Sequence, residues 1–279
     1  MADITISDED FLKFREFFYR KTGINFEVNK RYFVDKRLIE RCHATESVSF
    51  RAYFTLLRFE ANGKELQALT NIMTVNETYF FREEYQLKSL VNSILPEIVA
   101  RKRAAGDRSP IRIWSIPSSS GEEPYSIAMY LLEYWPGIAL WDVEIIASDI
   151  DTSILVKAKA GRYSARSVSQ LPNVLLQKYF RPIGDDYQME VDLRSSVEFT
   201  LVNLNDPLTT RPYRGFDVVF CRNLLIYFDD TSRRQAAEVF FDALNPGGFI
   251  CLGHSESMSR ISSLFKVRKL ADAIVYQKS

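Results

Sequence analysis

Apolar residues along this chain follow two rhythms. Over residues 1–75 they recur at three- and four-residue spacing, the signature of helices with one buried face. Ser7 with Asp10 three positions on resembles a capping box. Phe11, Phe14, Phe17 and Phe18 then form an apolar stripe that Gly23 ends. Further helices are expected over 28–44, 50–60 and 64–74, which makes 1–75 a small all-α domain. Residues 76–110 are a transition. NETYFFR, Asn76 to Arg82, is too polar and aromatic for a plain helix. Residues 84–103 read as a long helix that Pro96 should kink, and 104–110 as a charged turn. From residue 111 the rhythm changes. Apolar runs at 111–114, 143–148, 197–202, 216–221 and 249–253 alternate with helical patterns at 123–134, 153–160 and 231–243. The runs at 143–147 and 217–221 are nearly continuous, as in strands buried on both faces. This alternation predicts an α/β domain with a mostly parallel, doubly wound sheet over 111–279. Residues 161–196 break it. A short helix at 173–179 and a two-residue periodicity around Gly184-Asp185-Asp186 predict a small antiparallel insertion on one edge. A terminal antiparallel pair is expected from 265–267 and 273–277.

Composition narrows the class without changing this picture. The 279 residues are 46% hydrophobic and 26% charged, with 36 basic against 36 acidic side chains. No global field recruits nucleic acid or an anionic membrane, and no apolar run approaches the ~18–20 residues of a membrane span. The opening MADITISDED is acidic and lacks an apolar core, so no signal peptide is expected. Cys42, Cys221 and Cys251 are scattered, which argues for a reducing, cytoplasmic setting and against a disulfide framework or zinc site. With His43 and His254 the only histidines, no metal site is expected.

Candidate chemistry gathers at the strand ends. WSIPSSSGEEPYS, Trp114 to Ser126, runs from a strand through small residues to Gly121, Glu122 and Glu123 at a helix start. Pro124 suits the first helical turn, where its missing N–H has no partner anyway. In open α/β sheets ligands bind at this carboxyl edge. The second strand ends Ser148-Asp149-Ile150-Asp151. Asp149 stands where an acidic residue takes ribose hydroxyls, and Asp151 where a residue caps the next helix. The third ends Val202-Asn203-Leu204, where an asparagine could read a base edge or simply make a turn. The fourth ends Cys221-Arg222-Asn223, before Leu224 to Phe228. A purely structural sheet would not need polar residues at four successive ends. In the helical domain Lys30, Arg37 and Arg41 fall on one narrow face, either a solvated stripe or a docking surface for an acidic partner.

These segments, with Gly161-Arg162-Tyr163 and Gly253-His254-Ser255-Glu256, resemble in identity and order the chemotaxis receptor methyltransferase family, CheR, over nearly the whole chain. The resemblance implies a helical N-terminal domain joined to a Rossmann-like domain with a β-subdomain insertion. It implies transfer of a methyl group from S-adenosylmethionine, giving S-adenosylhomocysteine, to glutamates on the cytoplasmic helices of chemoreceptors. Carried over by motif, the cofactor contacts are Asn76, Thr78, Arg82, Glu122, Asp149, Asn203, Leu204, Arg222 and Asn223. Arg82 and Tyr227 border the methyl-transfer site, and the helix carrying Lys30, Arg37 and Arg41 looks like the family's receptor-facing surface. A monomer is expected, with no nucleic-acid partner and no membrane insertion.

The sequence departs from the family pattern at Ile116-Pro117-Ser118, where many relatives carry Ala-Gly-Cys. The short stretch between Phe180 and Val191 also lacks the glycine-containing insertion of members that grip a receptor's C-terminal pentapeptide, which implies pentapeptide-independent recognition. Two other readings compete. One is a methyltransferase acting on nucleic acid or a small molecule, but methylation of base amino groups would call for an Asn/Asp-Pro-Pro-aromatic turn where this chain has Cys221-Arg222-Asn223-Leu224. A docking module could bind the cofactor without transferring its methyl group.

Overall fold

In the computed structural model, which describes residues 4–279, Ser7 caps the first helix. The first three residues of the acidic N-terminal stretch lie outside the described residues. The Ser7 hydroxyl accepts the Asp10 N–H at 3.1 Å. Helix α1 (Asp8–Thr22) stops at Gly23, whose φ of +74° is the left-handed conformation of a helix C-cap. A 3-10 turn, Val28–Lys30, occupies the first residues of the expected second helix, so α2 spans Arg31–Ala44. Helices α3 (Phe50–Phe59) and α4 (Lys64–Met73) complete the domain. Phe14, Phe18, Val34, Leu38, Tyr53 and Leu69 form its core.

The NETYFFR segment is an anchored bridge. Phe80 packs edge-on against Tyr163 and Phe180 of the insertion, with ring centroids 4.8 and 5.3 Å away. Phe81 meets Tyr130 at 5.5 Å. The expected long helix is α5 (Glu84–Ser89), a π-helical turn (Leu90–Ile94) and α6 (Leu95–Ala104). Pro96 falls in the first turn of α6, where no N–H is needed, and the widened π turn takes the place of the expected kink.

The α/β domain then proceeds as β1 (Ile111–Ser115), α7 (Glu122–Tyr134), β2 (Val143–Asp149) and α8 (Thr152–Ala160). The insertion contributes β3 (Arg162–Ser164), α9 (Asn173–Tyr179), β4 (Phe180–Ile183), β5 (Asp186–Met189) and α10 (Val191–Ser195). The main rhythm resumes with β6 (Val197–Leu201), α11 (Pro207–Thr210), β7 (Phe216–Cys221), α12 (Asp230–Ala243), β8 (Leu244–Leu252), β9 (Phe265–Lys269) and β10 (Ile274–Lys278). The large sheet has the order β6-β2-β1-β7-β8-β10-β9. Strands β6, β2, β1, β7 and β8 run parallel, and β10 and β9 are antiparallel. The insertion is a separate antiparallel sheet, β3-β5-β4. Successive residues of β7 and β8 enter opposite cores. Val218, Phe220, Phe249 and Cys251 face one side, and Val219, Cys221, Ile250 and Leu252 the other. That is why these runs read as continuous rather than alternating. Strand β8 begins earlier than its apolar run, because its first residues join the sheet past an irregularity opposite Phe216 and Val218.

The two domains dock through hydrogen bonds around the carboxyl edge of the sheet. Asn205 and Asn203 donate from their amides to the α1 carbonyls of Arg20 and Lys21, at 2.8 and 2.7 Å. Tyr19 donates to Asp229 at 3.0 Å, and the Asn25 N–H to the Tyr227 carbonyl at 3.2 Å. On the other side Gln67 donates to the Ile150 carbonyl at 2.9 Å and Thr74 to Asp151 at 2.8 Å. All three cysteines are buried and free.

Candidate functional site

A cleft of about 620 Å³ lies between the two docking seams, within the ~300–1,000 Å³ typical of small-molecule sites. Its floor is the strand-end loops after β1, β2, β6 and β7. Its roof is the stretch from Thr22 to Phe33, and its side wall is the linker from Thr74 to Arg82. The sheet order changes direction at β1, between β2 and β7, which is the topological switch point where such folds hold ligands.

The loop after β1 builds the first wall. Gly121 adopts φ +97°, and a Cβ there would meet the Tyr125 ring at 2.9 Å, so only glycine fits. Ser119, also left-handed at φ +47°, aims its N–H at Asp149. Asp149 closes β2, which runs one position beyond the expected 143–148, and accepts the N–H groups of Ser119 and Asp151 at 2.8 and 3.0 Å. Burial pushes its carboxyl up to about 6, against those hydrogen bonds. Asp151 both caps α8 and accepts Thr74 and Asn76 at 2.8 and 2.9 Å, which fixes the linker beside the floor.

The loop after β7 carries the charge centre. Arg222 is buried. It donates to Glu123 at 3.0 Å and to the Arg82 carbonyl at 2.6 Å, and pairs with Glu83 at 3.3 Å. Its Nε has no partner. Glu83 also meets His254 at 2.8 Å. Burial would raise the Glu83 carboxyl, but Arg222 and His254 together hold it below its ordinary value. At Glu123 burial prevails over Arg222 and the carboxyl is raised.

The cleft brings together Asn76, Thr78, Arg82, Asp149, Asn203, Leu204, Arg222, Asn223 and Tyr227, all named from sequence. Arg82 donates to the Glu77 carbonyl at 3.2 Å and is in no ion pair among the described residues. Tyr227 is 37% exposed. Burial raises its phenol, with Glu77 adding to the shift and Arg82 opposing it.

Other expectations need correction. Glu122 does not line the cleft. It accepts Ser120 and Ser167, each at 2.6 Å, and ties the turn to the insertion. Glu123, one residue on, takes its place on the wall. The Asn203 amide also serves the domain seam, donating one N–H to the Lys21 carbonyl and accepting the Asn205 N–H at 3.0 Å. The basic stripe is not one free surface. Lys30 lines the cleft. Arg37 lies 3.4 Å over the Phe33 ring and donates to the Ile72 carbonyl. Arg41 makes a two-pronged pair with Glu65 at 2.9 and 2.6 Å. The sequence reading missed Ser119, Glu83 and Glu123. Only the acidic pair Glu122-Glu123 hinted at the last of these.

Among the described residues no cluster of histidine, cysteine or carboxylate side chains could hold a metal, and no helix is long and apolar enough to cross a membrane. Comparison with known proteins gives a consistent result. The family model for the CheR methyltransferase all-alpha domain matches residues 9–74, and that for the CheR methyltransferase SAM binding domain matches residues 76–274. Chemotaxis protein methyltransferase 2 of Vibrio cholerae is 58% identical over 279 residues, covering 100% of this chain and 96% of its own length. The chemotaxis protein methyltransferases of Salmonella typhimurium and Escherichia coli are each 35% identical over 269 residues, covering 95% of this chain and 89% and 90% of theirs. With both domains matched and the strand-end residues converging on one cleft, the chain belongs to the CheR methyltransferase family.

Proposed function

We propose that this protein transfers the methyl group of S-adenosylmethionine to glutamate side chains on chemoreceptor cytoplasmic helices, giving glutamyl methyl esters. The observation that carries this reading is the cleft itself. At the switch point it combines a hydroxyl-accepting carboxylate, a buried charge cluster and an unpaired arginine beside an exposed tyrosine.

The residues present fit the cofactor. Asp149 keeps lone pairs free for ribose hydroxyls after accepting two N–H groups. Ile116, Val202 and Leu204 offer apolar surface to a flat ring. Glu123 on the wall, paired with Arg222, suits an ammonium, and the unpartnered Arg222 Nε is a donor awaiting an acceptor. Asn76, Thr78 and Asn223 complete the wall. Glu122 supports it from behind. When bound, S-adenosylmethionine supplies an electrophilic methyl group on a sulfonium centre.

The acceptor glutamate, with a reference pKa of ~4.3, is already an anion at neutral pH, so the reaction needs no general base. What remains for the protein is alignment and exclusion of water. Arg82, free of carboxylate partners, orients the incoming carboxylate by charge-assisted hydrogen bonds. It holds that anion in line, and no proton changes hands. Tyr227, which lines the cleft with Arg82, shapes the channel. Lys30 at the roof and the exposed part of α2 form the side from which the receptor approaches.

Recognition does not use a receptor pentapeptide. An extended peptide held by the insertion would add to a sheet edge. Met189 donates to the Gly161 carbonyl on the β3 side, and Glu190 to Tyr179 on the β4 side. By alternation the outward-facing groups of β4 belong to Phe180 and Pro182. Proline has no N–H, so this edge lacks a donor that an added strand would need.

The test is mass spectrometry of receptor cytoplasmic fragments, with and without a C-terminal pentapeptide, after incubation with enzyme and donor. Equal base-labile +methyl products on glutamates in both fragments are expected. Cofactor binding without transfer would reduce the protein to a docking module, and transfer only with the pentapeptide would overturn the independent mode.

A further inference from the structure

The Gly253-His254-Ser255-Glu256 turn lies beside the site, yet no step above uses it. Glu256 is half-buried in the loop after β8, and its carboxylate is fully engaged with main chain. Oε2 accepts the N–H groups of Gly253 and Asn223, both at 2.9 Å, and Oε1 accepts that of Leu225 at 2.8 Å. One side chain therefore binds the loop after β8 to the loop after β7. Asn223 needs such help, because it sits at φ +58°, a conformation L-residues adopt at a cost. Leu225 opens the 3-10 turn Leu225–Tyr227, so its N–H sets where Tyr227 projects. Gly253 gives an independent sign of how closely the loops meet. A Cβ there would lie 2.8 Å from Glu256 Oε2 and 3.1 Å from the Asn223 nitrogen.

We infer that Glu256 is a positioning residue for methyl transfer, holding Arg222-Asn223 and Tyr227 in the cleft through the main chain of the β7 loop. This rests on the proposed roles of those residues. Glu256 touches neither the donor nor the acceptor. Its charge suits the task, since a carboxylate presents acceptors on both oxygens, whereas an amide must turn its NH2 toward one of the three N–H groups. The same loop is held elsewhere by Arg222, by Arg233 donating to the Leu225 carbonyl, and by Asn25 of the helical domain donating to the Tyr227 carbonyl. Without Glu256 the N–H groups of Asn223 and Leu225 would lose the acceptor that ties them to the loop after β8.

The experiment compares Glu256→Gln, Gly253→Ala and Tyr227→Phe, singly and with Glu256→Gln added to Tyr227→Phe. Steady-state kinetics use a receptor fragment, and calorimetry measures S-adenosylhomocysteine binding well below the melting temperature. Glu256→Gln should lower kcat on the order of 100-fold, as misplacement by about 1 Å can. It should weaken S-adenosylhomocysteine only about 3- to 10-fold, the worth of about one hydrogen bond. Gly253→Ala, which keeps the carboxylate but displaces it, should show the same split. Tyr227→Phe should cost less in the Glu256→Gln background than in the parent, because a displaced tyrosine has less to lose. A lower melting temperature with kcat unchanged, or fully additive losses, would overturn the positioning role. If Tyr227→Phe and Arg222→Lys both leave kinetics unchanged, the assignment of the cleft itself fails.

Discussion

Arg82 and Asp149 show how differently two charged residues can serve one cleft. Arg82 is held by a main-chain carbonyl and kept free of carboxylates. Its truncation to alanine should lower kcat on the order of 100-fold or more, the cost of removing a preorganised donor. S-adenosylhomocysteine affinity should change by less than about 10-fold, the worth of a single hydrogen bond. Unchanged turnover in a receptor-fragment assay would remove Arg82 from the mechanism. Asp149 is instead buried against two N–H groups, with its carboxyl pushed up to about 6. Ribose hydroxyls favour the ionised form. Lowering the pH through about 6 should therefore protonate Asp149 and weaken S-adenosylhomocysteine binding, whereas raising it from 7 to 8 should change little. Calorimetry across that range checks the sign, and Asp149→Asn should bind weakly at every pH with the step gone. Asp149 was legible because it stands at a strand end, and Arg82 because it closes the polar and aromatic NETYFFR linker. The choice between Glu122 and Glu123 was not. Adjacent helical residues point about 100° apart, so naming the inward one requires the angle at which the helix leaves its turn. The seam role of Asn203 was not legible for a related reason. Nothing local to it reveals that the end of α1 lies within reach of its amide.

At the scale of elements, periodicity located nearly every helix and strand, because each buries a face or both faces of a layer. It failed where the partner is distant in sequence. The three basic residues of α2 share a face by spacing, but α4 supplies Glu65 to one of them and the Ile72 carbonyl to another. Glu65 also accepts the Tyr53 hydroxyl at 2.8 Å and is nearly buried. Arg41→Ala would leave this carboxylate without its counter-charge, at a cost of about 3 kcal/mol or more. Urea denaturation of the variant should show that loss, with Arg41→Ala/Glu65→Leu recovering much of it. A variant as stable as the parent that has lost only receptor binding would return Arg41 to the docking surface. The segment before Pro96 makes the same point about local rules. Proline predicts an interruption correctly, but whether the chain bends or widens depends on what packs against the turn, here a core containing Leu90, Ile94 and Leu95.

At the scale of the molecule, the cleft belongs to neither domain alone. Its roof comes from the helical domain and its floor from the sheet, joined by side-chain amides whose partners no local pattern reveals. The domain order was legible in the change of rhythm at residue 111, whereas the seam depends on residues nearly two hundred positions apart, such as Asn205 and Arg20. A ligand in the cleft therefore ties the domains together, and stabilises both by mass action.

The three cysteines turn this arrangement into a measurement. Cys42 lies in the helical core, and Cys221 and Cys251 lie in neighbouring strands of the large sheet. Burial raises their thiols, to about 11 for Cys42 and about 12 for Cys251. Each is thus silent toward alkylating reagents until its own surroundings open. The native chain carries a separate clock for each half. With iodoacetamide and peptide mapping, Cys42 should report opening of the helical domain and the strand cysteines opening of the sheet. Saturating S-adenosylhomocysteine should slow that labelling at least tenfold at about 100 times its Kd, although Cys42 does not border the cleft. Equal Cys42 rates with and without ligand would mean that the two halves breathe independently.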